Sequence, residues 1–327
     1  MGGMTMHGNG LKTFAAAAAV LVAGLHAAPG TAEERISYKS AKSGTSYYQM
    51  GVELANAVKG GTEGEVIVTV EESQGSVQNV MEAAARAGNY VFTAPPGLVS
   101  AAAAGTGPFA ERQNPRFAEI RSLFPIPSLT MHFVMRGDAD ARALEDMAGK
   151  TILLGKGSFG ATEGEKYLEL FGLTDKVTVA DAELGNASDA LKNGQIDGFV
   201  TAGSFPAPNV IEASASTPVS LITLTDEQVA ETGRTRQVIP AGTYAGIDED
   251  TVTTSLPVVA FTTTGTSDET AYLLTKTFWD EKAAMGESAR WWNAVTPELL
   301  EGSGVKLHPG AARYYEEAGI DLPDDLR

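Results

Sequence analysis

The chain has 327 residues, with 24 Lys and Arg against 41 Asp and Glu, a formal net charge of −17 at pH 7 and no cysteine. So acidic a chain disfavours nucleic acid and anionic headgroups as partners. The lack of cysteine excludes disulfides, a thiol nucleophile, a zinc–thiolate centre and a lipid anchor on cysteine.

Residues 1–32 read as a cleavable signal peptide: Lys12 supplies the positive charge, Phe14 to Leu25 form a 12-residue apolar core, and Gly30-Thr31-Ala32 place small residues before a cut. Twelve residues fall short of the roughly 20 needed to span a bilayer. The expected product is soluble, without a lipid anchor, and free in the periplasm. Losing Lys12 leaves 23 basic against 41 acidic residues in the remaining chain, which is long enough for two domains.

Ile36 to Ser40 read as a strand, followed by a loop, Lys42-Ser43-Gly44-Thr45-Ser46, and a helix whose apolar stripe is Tyr47, Gly51, Leu54, Ala55 and Val58. Tyr47 falls on that stripe, so it reads as core before ligand platform. Glu65 to Val70 is β-branched, as a buried parallel strand would be. It leads through Ser73-Gln74-Gly75-Ser76 into a helix with Val77, Val80, Met81 and Ala84 on one face. Tyr90 to Thr93 is a strand stopped by Ala94-Pro95-Pro96-Gly97, before an alanine-rich helix to Ala104 and a surface loop over 105–116. Residues 124–136 read as a first crossover between domains.

Thr151 to Phe171 repeat the strand, Gly-rich turn and helix, with Gly155, Gly157 and Gly160 in the turn and a capping box at Thr162 and Glu165. Such a turn can seat an anion on unpaired amides. It also spells G-x-G-x-x-G, with Asp181 at the distance a dinucleotide fingerprint requires. The extracytoplasmic address argues against that cofactor and for a small anion, with a ligand-free structural corner as the third reading. Further strands follow at Lys176–Val179 and Gln195–Thr201, the second ending in the turn Ala202 to Pro208. Residues 238–262 read as the return crossover. Thr266 and Glu269 would cap a helix carrying Leu273, Leu274 and Phe278, and Trp291-Trp292 and a terminal helix near Ala311 to Glu317 close the chain.

Strands alternating with helices imply an α/β fold whose loops gather at the carboxyl ends of parallel strands. Two crossovers divide it into one lobe of residues 33–130 and 246–327 and a second of 131–245, joined by a hinge that allows closure. After the leader only His132 and His308 remain, neither in metal-ligand spacing nor beside a nucleophile elbow, so both read as structural and no catalytic residue is assigned. Asp248-Glu249-Asp250 reads as a solvated acidic loop, not a calcium site. No cofactor and no metal are expected.

Six segments in order, Ser43 to Tyr48, Gln74 to Asn79, Asn193 to Asp197, Ala202 to Pro208, Ile239 to Tyr244 and Leu307 to Tyr315, resemble the TAXI-type solute-binding proteins of tripartite ATP-independent periplasmic (TRAP) transporters. The resemblance implies a two-lobed periplasmic binding protein (type II-like), with two parallel or mixed sheets flanked by helices. Such a protein, acting as a monomer, closes like a flytrap on a small carboxylate or amino-acid-like solute and hands it to TRAP membrane permease subunits. A sensing subunit for a receptor kinase and a periplasmic enzyme are the alternatives. The resemblance implies a site formed by Ser43, Gly44, Thr45 and Tyr47, by Gln74, Gly75 and Ser76, by Ser158, Phe159, Ala161 and Thr162, and by Gly203, Ser204 and Phe205, to which the expected site adds Lys42, Thr93 and Lys156 from this chain's own residues at the strand ends. This chain departs from the family's small residues at Lys39 and Lys42 and from its polar turn at Ala94-Pro95-Pro96. Closure could bring Lys42 and Lys156 to one ligand anion, with solvated rim positions as the alternative for both.

Overall fold

The computed structural model describes residues 1, 33–86, 88–137, 141–156, 158–301 and 303–327. The signal-peptide reading of 1–32 lies outside them, apart from Met1. Among the described residues no helix is long and apolar enough to cross a membrane.

The first part of the chain runs β1 (Glu34–Lys39), α1 (Ser46–Gly61), β2 (Val66–Glu71), α2 (Ser76–Ala83), β3 (Tyr90–Ala94) and α3 (Pro96–Ala104). β1 lies between β2 and β3 and is parallel to both, so all three strands present their carboxyl ends on one side. The stripe expected of α1 is buried at Tyr47, Gly51, Leu54 and Val58, while Ala55 is half-buried. Gly51 is needed there, because a Cβ would stand 3.0 Å from the Tyr38 ring. The loop over 105–116 is not all surface: Phe109 is buried in it, edge to face with Phe117 just beyond it at 5.6 Å.

Two long strands follow the expected crossovers, β4 (Ile120–Arg136) and β10 (Thr251–Thr263). They pair antiparallel, and each serves two neighbourhoods. β10 meets β3 through Val259 to Phe261, whereas β4 meets β7 through Thr130 to Met135. Between them the chain forms β5 (Thr151–Leu153), α4 (Phe159–Leu170), β6 (Thr178–Ala180), α5 (Ala187–Lys192), β7 (Gly198–Gly203), α6 (Pro208–Ser216), β8 (Val219–Leu221), α7 (Asp226–Thr232) and β9 (Thr235–Ile239). β5 is parallel to β6 and β7. The full order is β2-β1-β3-β10-β4-β7-β5-β6, with β8 on β4 and β9 on β10. Two parallel groups of strands are thus continuous through the antiparallel pair at the centre, where two separate sheets were expected. The ladder between β4 and β10 shifts register between Leu256 and Val258, where Pro257 of β10 and Pro127 of β4 have no amide to donate.

α8 (Asp268–Ser288) packs on α1 and β4, and α9 (Pro309–Glu317) packs on α8 and β4. Phe278 of α8 stacks on Phe124 of β4 at 4.1 Å, and Trp292 is fully buried against Phe278. Both indole N–H groups of Trp291 and Trp292 donate to Glu53 Oε2, at 3.0 and 2.7 Å. Trp292 is core, while Trp291 is half-buried beside it, and neither lines the smaller cavity described below.

Two helix starts differ from expectation. α4 opens at Ser158, whose hydroxyl accepts the Ala161 N–H at 3.0 Å, and Thr162 lies inside the helix. The earlier start is possible because Gly160 comes close to β7; a Cβ there would be 3.1 Å from the Ala202 nitrogen. α8 is capped by Ser267, which accepts the Thr270 N–H at 3.1 Å, because the Thr266 hydroxyl is taken by the Gly88 carbonyl.

Candidate functional site

A cavity of about 80 Å³ lies where three helix starts meet the two central strands. From one side come Ser40 and Ala41 after β1, Thr45, Ser46 and Tyr47 at the start of α1, Gln74, Gly75 and Ser76 at the start of α2, and Thr93 of β3. The other side supplies Ser158, Phe159 and Gly160 at the start of α4, Leu184, Thr201 to Gly203 of β7, Ala207, and Asn209 of α6. Leu129 of β4 and Val258 of β10 complete the lining. The two sides touch: the Ser204 N–H donates to the Ser46 hydroxyl at 3.2 Å. Glycine permits this approach, since a Cβ on Gly203 would fall 2.8 Å from Ser46 Oγ.

None of these lining residues is Asp, Glu, Lys, Arg or His. What they offer is donors. The first turn of a helix carries amides that the helix itself leaves unpaired, and α1, α2 and α4 all begin here. Their dipoles add partial positive charge at the same place. Ser46 and Ser158 each accept a backbone N–H and so keep a hydroxyl hydrogen to give. Ser40 and Thr93, both buried, share one hydrogen bond of 2.8 Å, which uses one of their two hydrogens. The side-chain amide of Asn79, fully buried in α2, donates to the carbonyls of Ser40 and Thr93 at 2.8 Å each and pins the ends of β1 and β3.

Of the residues expected at the site, Thr45, Tyr47, Gln74, Gly75, Ser76, Thr93, Ser158, Phe159 and Gly203 line this cavity, and the others do not. Tyr47 presents its ring, while its hydroxyl donates into the core to the Pro127 carbonyl at 2.9 Å, and burial raises its pKa. Lys42 pairs with Glu183 at 2.7 Å and does not line the cavity. Lys156 pairs with Asp181 at 2.8 Å on the surface, and that hydrogen bond and charge raise its pKa. Lys39, buried at the end of β1, gives its ammonium to Glu82 at 2.8 Å and not to the cavity. The Ser43 amide donates outward to Glu72 at 3.0 Å, and a Cβ on Gly44 would meet open space. Ala161 and Thr162 are carried past the cavity by the earlier start of α4. Ser204 and Phe205 face the other way, into a wider groove of about 670 Å³ that also takes Ser128, Thr130, Ser255 and Pro257 from the opposite face of the central strands.

The expected site omits Ser40, Ala41, Ser46, Leu129, Gly160, Leu184, Thr201, Ala202, Ala207, Asn209 and Val258, all of which line the cavity. Thr201 and Ala202 end a strand that was read as such, and that position alone marks them as candidates. Leu129 and Val258 carried no local signal.

The two histidines among the described residues, His132 and His308, are structural. His132 is buried; its Nδ1–H donates to the Thr130 carbonyl at 3.1 Å, so Nε2 accepts the Tyr244 hydroxyl at 2.8 Å. Tyr244 in turn accepts the Ala207 N–H at 2.8 Å, which fixes the turn beside the cavity. Burial holds the His132 pKa down to about 4. His308 caps α9 by accepting the Gly310 N–H at 3.2 Å. Asp250 accepts the Ala241 N–H at 2.9 Å. Among the described residues no group of three or more His, Cys, Asp or Glu could hold a metal ion.

This architecture, a mixed sheet flanked by helices with a cavity at the strand ends, is the periplasmic binding protein fold. Periplasmic binding protein BugD aligns with a TM-score of 0.54 at 15% identity, over 88% of this chain and 99% of that one. MatC from Rhodopseudomonas palustris, with bound malate, aligns with a TM-score of 0.53 at 13% identity, over 87% of this chain and 97% of that one. The chain belongs to the NMT1-like family, whose profile matches residues 39–319.

Proposed function

We propose that this protein is an extracytoplasmic solute-binding protein of the TAXI type, which captures a small anionic solute and delivers it to a TRAP membrane permease. On this reading residues 1–32 are a signal peptide and the protein works as a monomer in the periplasm. The observation that carries it is the cavity: lined by no Asp, Glu, Lys, Arg or His, and supplied with amides and hydroxyls from three helix starts. An anion desolvated there exchanges water for fixed donors, and the helix dipoles favour its charge. The malate of MatC, a small carboxylate, accords with a ligand of this kind.

We read residues 33–130 with 246–327 as one lobe and 131–245 as the other, with β4 and β10 as the hinge. Ligand can touch both lobes only when they approach, so it favours the closed arrangement in which Ser46 meets Ser204 and Lys42 meets Glu183. No nucleophile and base stand together at the cavity, so the solute is held and not converted.

The test is to release the solute carried by the purified secreted protein, identify it by mass spectrometry, and titrate it back by calorimetry with scattering in parallel. Saturable binding of an anion, a smaller radius of gyration and recovery of the solute unchanged are expected. Product formed at a rate that tracks protein concentration, or a cationic solute, would overturn the reading.

A further inference from the structure

We propose that the cavity selects a compact acid without an ammonium group and rejects the amino acid of the same skeleton. This rests on the anion-binding reading above and narrows it. An ammonium brings three donors and a positive charge, so a site that holds one supplies acceptors and, as a rule, a carboxylate. Here the walls supply the opposite. Ser46 and Ser158 each keep a hydroxyl hydrogen to donate, three helix starts bring first-turn amides to the lining, and the helix dipoles oppose a cation.

Three carboxylates close in sequence to lining residues are committed elsewhere. Glu183 holds Lys42 at 2.7 Å, Asp181 holds Lys156 at 2.8 Å, and Glu72 accepts the Ser43 N–H at 3.0 Å. None of the three lines the cavity. Asn209 is the lining residue best placed to change this. Its amide nitrogen donates to the Thr201 hydroxyl at 3.0 Å, which leaves only a neutral carbonyl oxygen as an acceptor. Size adds a second limit. At about 80 Å³, where one water needs roughly 10–15 Å³ on the same measure, the cavity holds a few carbon atoms with their oxygens and little more.

The experiment is calorimetry on the secreted protein, freed of its solute by mild denaturation and refolding, with matched two- to five-carbon sets: the 2-hydroxy or 2-oxo acid, the 2-amino acid, and the amide of the acid. The best acid is expected to bind about 100-fold tighter than its amino counterpart, the scale of leaving a buried charge unpaired. A preference below tenfold would overturn the selection while leaving anion binding intact. Binding of amides but not acids would overturn both. If no member binds, the solute extracted from the native protein decides: an amine-bearing molecule overturns the inference and an amine-free anion supports it.

Asn209→Asp supplies the missing carboxylate at nearly constant shape, and Ser158→Asp supplies one from the start of α4 while keeping a helix-capping oxygen. In whichever variant melts as the parent does, the ratio of acid to amino-acid affinity is expected to fall at least tenfold. An unchanged ratio in a folded variant would refute the assignment.

Discussion

His132 is the residue whose charge state the fold controls most firmly, and replacing it with glutamine should change how stability depends on pH. The imidazole is buried on β4, and desolvation, partly offset by the hydrogen bond to the Thr130 carbonyl, holds its pKa down to about 4 from an ordinary 6.5. In the unfolded chain it takes up a proton as pH falls through about 6.5, whereas in the folded protein it stays neutral until about 4. Stability from this group is therefore complete above 6.5, is lost between 6.5 and 4, and is level below that. Between pH 7 and pH 4.5 the difference spans two pH units, or about 3 kcal/mol. Carboxylates held low, such as Glu82 and Asp146, also cost stability on acidification, but they do so equally in parent and variant. The assay is urea unfolding at pH 7 and pH 4.5 for the parent and for His132→Gln. The parent is expected to lose about 2 to 3 kcal/mol more than the variant over that interval, even though the variant starts lower for want of its bond to Tyr244. Parallel losses, within about 0.5 kcal/mol, would show that the imidazole is charged or hydrated in the folded state and refute the argument.

Lys156→Ala should leave solute affinity within about threefold, because its ammonium is paired with Asp181 on the surface; a tenfold loss by calorimetry would return the lysine to the cavity. Gly310→Ala should cost about 3 kcal/mol in denaturant unfolding, since the added carbon would lie 2.0 Å from the Asp268 carbonyl oxygen; a cost under about 1 kcal/mol would mean that α8 and α9 part easily. Glu53→Ala should cost about 1 to 3 kcal/mol and shift tryptophan emission, because it strands two indole N–H groups at once; unchanged emission would contradict their shared acceptor.

Much of the frame was legible because period and punctuation are local properties. β1 with α1, β2 with α2 and β5 with α4 each announce themselves as a β-branched or apolar run, a small-residue loop and a helical stripe within some 25 residues. The long extended runs around Pro125 and Leu256 were equally plain. Exact helix starts were not, because several hydroxyls compete for each cap. Contacts distant in sequence chose Ser158 over Thr162, through Gly160 against Ala202, and Ser267 over Thr266, through the Gly88 carbonyl. β8 and α7 are too short to show a period. At the cavity, small residues at strand ends could be nominated by position, but the fate of the lysines could not. Lys42 meets Glu183 and Lys39 meets Glu82 across 141 and 43 residues of chain, and nothing near either lysine marks its partner.

The donors around the cavity belong largely to main chain, and this changes what kind of information preserves them. A charged side chain is erased by one codon. An amide at a helix start survives almost any substitution that leaves the backbone on its course, and it fails only where a side chain must be nearly absent, as at Gly203 beside Ser46 and Gly160 beside Ala202. Descendants of this chain can therefore drift far in residue identity and keep the same seat for an anion, while their solute preference is reset by one or two lining positions such as Asn209. The heritable unit is the path of the polypeptide, which alignment of letters recovers poorly and superposition of backbones recovers well.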